Sequence, residues 1–405
     1  MRLLFQVQHD GLMFNNAKFW SFSQIDEIIS RYFTVTAITY KPLPQPNRSL
    51  QTDVIPVYEI LRRSDLTSNM HTIDLQLKEL GFMAFLRSHP TQESRGILYV
   101  LPISSKMRET TQNWTTPLIL FGFTILSVFF VGIISWDILQ DIQPNYNPFI
   151  TGLMYVIGLM GIVGIHELGH LIASKLHGIR ASLPYFLPFP FGYGTLGAFI
   201  SQKTPIKSRN DLFDVGLAGP IFGFITAIFF TVLGLMVSTV VPNSTTSGTT
   251  ESLFRLDFIF SSPTRLRILL FEILTFFIIP ATGPDTEIFL HPLAFAGYIG
   301  LLLTGLNLIP IGQLDGGHVS RALFSERNHR TITYISAGLM IFLGFWFFAL
   351  LILLMYSQTG HAGPLDDLSS VSTSRKIVAV LCIPLAILCI PLPVGIFEFI
   401  FPMFV

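Results

Sequence analysis

Long apolar runs fill the chain after about residue 113, and their length predicts helices that cross a membrane. A helix needs about 20 mostly apolar residues to span the hydrocarbon core of a bilayer. Six runs meet or approach this length: Pro117–Trp136, Pro148–Leu176, Asp214–Val240, a run that begins at about His291, Thr331–Tyr356, and Ile377 to about Phe401. We therefore expect an α-helical polytopic membrane protein with about six transmembrane helices.

Two apolar stretches do not fit a spanning helix. Ala181–Arg209 is interrupted by many prolines and glycines. Irregular backbone at membrane depth is tolerated only where protein buries it or where it lines a wet cavity. Gly194–Ser201 is therefore interpreted as a re-entrant strand or hairpin whose edge could take up an extended peptide, with a simple surface loop as the alternative. Arg265–Pro280 is short and is interpreted as an interfacial or re-entrant helix.

The first 112 residues have a different pattern, typical of a soluble domain. Thr34–Tyr40, Val54–Leu61 and Gly96–Ile103 are rich in strand-forming residues and are predicted as strands. Thr72–Leu86 has near-helical apolar spacing and is predicted as a helix that ends near Gly81. We expect a small soluble α+β N-terminal domain over residues 1–112 and a membrane domain over residues 113–405. The N-terminal domain has no catalytic motif and is interpreted as a regulatory or substrate-gating appendage.

Charge supports this division. Only 12% of the 405 residues are charged, against about 25% in an ordinary soluble protein. Residues 1–110 contain 12 Lys/Arg and 10 Asp/Glu, which is 22 of the 50 charged residues. The net charge is zero, so a nucleic-acid partner is not expected. The two cysteines, Cys382 and Cys389, give no disulfide framework.

Basic residues beside the apolar runs predict the orientation. Lys106 and Arg108 precede the first run, which places the N-terminus in the cytoplasm by the positive-inside rule. Lys207 and Arg209 mark the same side later in the chain. The segment with Asp366 and Asp367 then faces outward, and both termini are cytoplasmic. We expect an integral, multi-pass protein of a prokaryotic cell membrane.

The second apolar run contains His166, Glu167 and His170. Positions i and i+4 lie one turn apart on one face of a helix, so both imidazoles can bind one ion. Glu167 projects beside them and is a candidate general base for a metal-bound water. Ionisable residues inside a membrane helix are costly, and three within five residues indicate a functional site. The alternative is a structural His/Glu cluster.

A third ligand is predicted where the fourth run ends. Asp315 follows that run at a depth similar to His166 and His170, and three protein ligands with an open fourth position are typical of catalytic zinc. Asp315 could instead cap a helix end. His318 is a competing ligand, three residues on and nearer water. If Asp315 is the ligand, replacement of His318 by Ala should preserve both metal and activity.

These motifs resemble the site-2 protease family of intramembrane zinc metalloproteases. The resemblance covers residue 117 to about residue 356. It rests on the metal-helix motif and on a second motif with Asn307, Pro310, Leu314, Asp315, Gly316 and Gly317. The Gly-rich stretch after the metal helix and Gly219-Pro220 are similar too.

The resemblance implies one Zn²⁺ per chain on His166, His170 and Asp315, with Glu167 as the catalytic base. It also implies that Asn307 holds the substrate strand or stabilises the developing oxyanion. Family members generally cleave single-span membrane proteins, often to release a regulatory domain. Many bacterial members insert a PDZ domain, for which residues 241–290 leave no room. Substrate choice must then come from elsewhere.

Three other functions use the same residues. A metal transporter needs ligands on both sides of a pathway, and the outer halves of these runs lack His and Glu. A catalytically dead adaptor is disfavoured by the intact Glu167. Prenyl-protein proteases share the two-histidine motif but are expected to take a glutamate as the third ligand in place of Asp315.

Overall fold

The structure is a computed structural model, and it divides the chain into two compact units. It describes residues 16–42, 54–62, 66–89, 91–92, 94–103, 114–135, 147–242, 266–279 and 286–402. The first unit is formed within residues 1–111, 204–210 and 363–371, and the second within the remaining residues. The basic junction at Lys106 and Arg108 lies outside the described residues.

The first unit is an antiparallel sheet covered by two helices. Its elements are α1 (Asn16–Tyr32), β1 (Val35–Pro42), β2 (Val54–Leu61), α2 (Leu66–Glu79), β3 (Phe82–Ser88) and β4 (Arg95–Pro102). The strand order is β1-β2-β4-β3. Apolar residues at helical spacing in α1 and α2, such as Ile25, Ile29, Ile73 and Leu77, are fully buried with alternate residues of the strands. The three predicted strands are confirmed.

The predicted end of the helix near Gly81 is confirmed, but residues 82–86 of the range Thr72–Leu86 form a strand instead. Helix α2 ends at Glu79, and Gly81 turns the chain with a positive φ of 82°. Only glycine adopts this conformation without strain, so the helix cannot continue. Residues 82–88 then alternate between more and less buried positions as strand β3 and pair with β4.

Two short segments from later in the chain belong to the first unit. Leu365 accepts a hydrogen bond from the amide of Leu86 in β3 (2.7 Å). The amide of Asp366 donates to the carbonyl of Lys207 (2.9 Å). Groups joined by a direct hydrogen bond cannot face opposite sides of a membrane. The prediction that the Asp366 segment faces outward while Lys207 faces the cytoplasm is therefore wrong.

The second unit consists of helices with short strand pairs. Its helices are α3 (Thr115–Ser135), α4 (Pro148–Leu176), α5 (Arg209–Met236, from Asp211 onward), α6 (Leu269–Ile278), α7 (Pro292–Leu308), α8 (Asp315–Leu323), α9 (Glu326–Phe342), α10 (Trp346–Thr359), α11 (Thr373–Cys389) and α12 (Val394–Ile400). Its strands are β5 (Tyr185–Phe189), β6 (Gly194–Phe199), β7 (Thr239–Pro242), β8 (Leu266–Ile268), β9 (Thr286–Phe289) and β10 (Pro391–Pro393).

Three of the described helices, α3, α4 and α5, are long and apolar enough to cross a membrane. They match the first three predicted runs. Helix α7 begins at the predicted place, where His291 caps it, but it has only 17 residues. Helix α6 has 10 residues, in keeping with the prediction that this stretch is too short to span. Six transmembrane helices are therefore not confirmed.

The fifth and sixth runs are not single helices. Rings of His329 and Tyr356 lie 5.8 Å apart, whereas a straight helix over residues 331–356 would separate its ends by about 38 Å. The chain turns at Gly344 (φ 94°), and α10 returns along α9. The sixth run is divided by Pro391–Pro393, which pairs with β8 instead of continuing α11. Proline lacks the amide hydrogen that a helix interior requires.

Residues Tyr185–Phe199 form the predicted hairpin. Strands β5 and β6 are antiparallel, and Tyr185 pairs with Phe199. The hairpin packs against α3, where a Cβ on Gly194 would lie 2.6 Å from the Cα of Val128. Glycine at this position allows the close approach. The strand pairing predicted for this segment is confirmed, and its re-entrant position stays a prediction.

Candidate metal centre

Helix α4 presents two histidines to one point. Asn147 caps its first turn, Pro148 starts it, and it continues without a break to Leu176. His166 and His170 lie one turn apart, and their Nε2 atoms are 3.2 Å from each other. His166 is only 8% exposed. The i, i+4 spacing thus places the two imidazole nitrogens close together in a buried position.

Asp315 reaches the same point from the end of α7. The chain turns after Leu308, and α8 begins at Asp315. Its Oδ2 lies 3.1 Å from Nε2 of His166, and its Oδ1 lies 3.3 Å from Nε2 of His170. Gly316 makes this turn possible, because a Cβ there would lie 2.3 Å from the carbonyl oxygen of Leu308.

The three side chains fit a metal ion. Four ligands at about 2.0–2.1 Å from a tetrahedral zinc ion lie about 3.3 Å from one another. The two Nε2 atoms lie 3.2 Å apart, and each lies 3.1–3.3 Å from a different carboxylate oxygen of Asp315, which is close to this value. Among the described residues, His166, His170 and Asp315 form the one group of three or more His, Cys, Asp or Glu side chains whose ligand atoms all lie within 4.8 Å of one another. Two imidazoles and one carboxylate leave a fourth position open for water or substrate.

Helix α5 supports the histidines from behind. Nδ1 of His170 lies 2.7 Å from the carbonyl oxygen of Val215, so it donates there and leaves the lone pair of Nε2 for a metal. A Cβ on Gly219 would lie 2.1 Å from His170 Nε2, and one on Gly223 would lie 2.8 Å from His166 Nδ1. Small residues one turn apart on α5 therefore let the two helices approach closely.

An ionic cluster holds the ends of three helices together below this site. His177, which ends α4, contacts Asp211 through Nδ1 and Asp214 through Nε2, both at 2.9 Å. Arg375 at the start of α11 binds Asp214 with two hydrogen bonds of 2.7 and 2.6 Å. Planar, bidentate pairs of this kind fix geometry as well as charge. The cluster therefore sets the position of α5 relative to α4.

A cavity of about 210 Å³ opens beside the three ligand groups. Glu167, 5% exposed, lines it, and no hydrogen bond to its carboxylate is seen among the described residues. Asn307, from the last turn of α7, lines it too. Ala198 and Phe199 of β6 form part of another wall. The structure thus brings every predicted site residue to one cavity.

His318 also lines this cavity but is outside the ligand group. Its Nδ1 lies 2.8 Å from Nε2 of His361. Sequence reasoning missed His361, because 43 residues separate it from His318 and no motif joins them. It also missed the Val215 carbonyl, which is a backbone group and leaves no residue-type signal.

The fold and site together define a membrane protein with a candidate metal centre of two histidines and one carboxylate. Residues 154–351 match the sequence model of Peptidase family M50. The match agrees with the resemblance to the site-2 protease family, and the relatives described below agree with it too. The resemblance seen in the sequence motifs is confirmed.

Relatives support the assignment. The chain is 28% identical over 296 residues to a probable zinc metalloprotease of Arabidopsis thaliana, EGY2, chloroplastic, which covers 71% of this chain and 50% of the relative. It is 30% identical over 243 residues to EGY1 of the same plant, and this alignment covers 58% of the chain and 42% of EGY1. An EGY3 protein of Oryza sativa subsp. indica is 26% identical over 224 residues, with 51% and 34% covered.

The chain spans about half the length, or less, of these curated relatives. All three are named as chloroplastic plant proteins, so the prediction of a prokaryotic cell membrane finds no support in them. No solved structure matches.

Proposed function

We propose that this protein is a zinc-dependent endopeptidase that hydrolyses peptide bonds within or near the transmembrane segment of single-span membrane proteins. One observation carries the proposal. Two histidines of a helix apolar enough to span a membrane converge on Asp315, with one ligand atom from each residue within 4.8 Å of the others. Glu167 lies beside them on the same helix, with no hydrogen bond to its carboxylate among the described residues. The relatives EGY2 and EGY1 are named as probable zinc metalloproteases, which agrees with the proposal.

In this proposal His166, His170 and Asp315 hold one Zn²⁺. A bound zinc ion supplies Lewis acidity, polarising a carbonyl group and lowering the pKa of water toward about 7. Glu167 accepts the proton of the attacking water and delivers it to the leaving amine. Its isolation in the cavity suits this role, because no described side chain competes for its carboxylate. Asn307 binds the substrate backbone or the oxygen on which negative charge develops.

The hairpin supplies a way to hold an extended substrate. The sheet has two strands, so one edge of β6 has no strand partner among the described residues. Ala198 and Phe199 of this strand line the cavity with Glu167. A peptide added to that edge would be extended, with its carbonyl groups accessible to attack. A transmembrane substrate must therefore unwind locally before it is cleaved.

Replacement of Glu167 by Gln tests the proposal. The amide cannot accept the proton, whereas the three ligands are unchanged. We expect zinc content near that of the wild type and cleavage of a synthetic single-span peptide reduced at least about 10²-fold, the lower range for loss of a general base. Both quantities are measured on the same detergent-purified sample. Full cleavage by the Gln variant would remove Glu167 as the base, and no cleavage by the wild type would refute the proposed function.

A further inference from the structure

Beside the ligands, the cavity contains a histidine pair that the proposed mechanism does not use. His318 lies one turn after Asp315 on α8, so the two side chains share a face of that helix. His318 lines the cavity together with Glu167. Its backbone is held against α5, because a Cβ on Gly216 would lie 2.7 Å from the His318 Cβ.

The His318 ring is oriented by His361. Nδ1 of His318 and Nε2 of His361 are 2.8 Å apart, and the two rings meet edge to face with centroids 4.8 Å apart. His361 also contacts the ring of His329, whose Nδ1 is bonded to Ser320 at 2.7 Å. Nδ1 of His318 is thus occupied, while its Nε2 has no hydrogen-bond partner among the described residues.

Burial favours the neutral form of both imidazoles. Burial lowers the pKa of His318 below its ordinary value and lowers the pKa of His361 to about 2. A neutral imidazole carries one donor and one acceptor nitrogen. When His361 donates through Nε2–H to Nδ1 of His318, the proton of His318 is on Nε2. That nitrogen is then a hydrogen-bond donor available to the cavity.

We propose that His318 donates a hydrogen bond from Nε2 to the oxygen of the scissile carbonyl, and that His361 is its positioning residue. The inference rests on the proposed function. As the water oxygen bonds to the carbonyl carbon, one proton passes to Glu167 and the π electrons of the C=O bond move onto oxygen. His318 transfers no proton; its N–H stabilises this growing negative charge. This proposal replaces the expectation from the sequence that His318 is dispensable for activity.

The test compares five variants of the whole chain: His318→Leu, His318→Gln, His361→Leu, His361→Gln, and the double variant His318→Leu with His361→Leu. Leucine keeps bulk and removes the hydrogen bond, whereas glutamine keeps an amide donor. Zinc content, thermal stability, kcat and KM are measured with a synthetic single-span peptide that carries a fluorophore and a quencher around a glycine-rich centre. Removal of one oxyanion donor typically costs 10²–10³-fold in kcat.

We expect His318→Leu to keep its zinc, to lose about 10²-fold in kcat and to leave KM within about threefold. His318→Gln should recover part of kcat. His361→Leu should lower kcat by a smaller factor than His318→Leu, and His361→Gln should have a kcat near that of the wild type. The kcat of the double Leu variant should equal that of His318→Leu, because His361 acts through His318.

Three results would overturn the inference. One is wild-type kcat in His318→Leu while Glu167→Gln is inactive, which leaves the proposed protease intact. Another is parallel loss of zinc and activity in His318→Leu and His318→Gln, which assigns His318 to the metal site. If His318→Leu does not fold, His361→Leu decides, since it leaves the donor in place; an unchanged kcat there contradicts the positioning role. A wild-type protein that cleaves nothing refutes the proposed function itself.

Discussion

At the scale of single residues, glycines that contact the metal ligands shape the metal centre as much as the ligands do. Gly219 lies so close to His170 that any Cβ would overlap the imidazole, at 2.1 Å from Nε2. The sequence shows small residues one turn apart at the start of the third run, a spacing that lets membrane helices pack closely. It could not indicate which glycine faces which ligand, because that depends on how far α5 slides along α4.

We expect Gly219→Ala to weaken zinc binding by about 10-fold or more, since disturbing the support of a ligand typically costs 10–100-fold in metal affinity. Gly164→Ala is the matched control on α4. A Cβ there meets nothing within 4 Å, and alanine favours a helix by about 1 kcal/mol over glycine. Competition with a chelator measures both affinities. Equal affinity in the two variants would show that His170 is free to move away from α5.

At the scale of elements, the ligand motifs were predictable and the interruptions were not. Two histidines at i and i+4 fix a shared face without further information. Hydropathy cannot show where an apolar run stops being one helix. The turn at Gly344 and the pairing of Pro391–Pro393 with β8 depend on partners far along the chain. For the same reason no sequence pattern indicates that residues 363–371 bond to strand β3 of the first unit.

Leu368 tests this pairing of distant segments. It is 5% exposed and packs in the core of the first unit, and its carbonyl accepts a hydrogen bond from Arg62 (3.1 Å). We expect Leu368→Ala to cost about 2–5 kcal/mol in free energy of unfolding. The melting temperature in detergent should fall by about 5 °C or more. Leu381→Ala, at an exposed leucine of α11, should change it by about 1 °C or less. Equal effects would contradict the shared core.

At the scale of the whole molecule, the first unit is discontinuous in sequence. The described part of residues 1–111 shares backbone hydrogen bonds with residues 363–371, which in turn bond residues 204–210. Residues 204–210 lie between the hairpin β5–β6 and helix α5. Residues 363–371 lie between α10 and α11. A regulatory or gating role for the N-terminal residues stays a proposal. The unit to which this role is assigned also contains residues 204–210 and 363–371, which sequence order alone would assign to the membrane domain.

The central claim is that His166, His170 and Asp315 together bind one zinc ion. Zinc analysis of the detergent-purified full-length protein tests it most directly, with Asp315→Ala and His318→Ala measured beside the wild type. We predict one zinc per chain in the wild type and in His318→Ala, and little or none in Asp315→Ala, because two histidines alone leave the site a ligand short. Full zinc in Asp315→Ala with loss in His318→Ala would contradict this account and make His318 the third ligand.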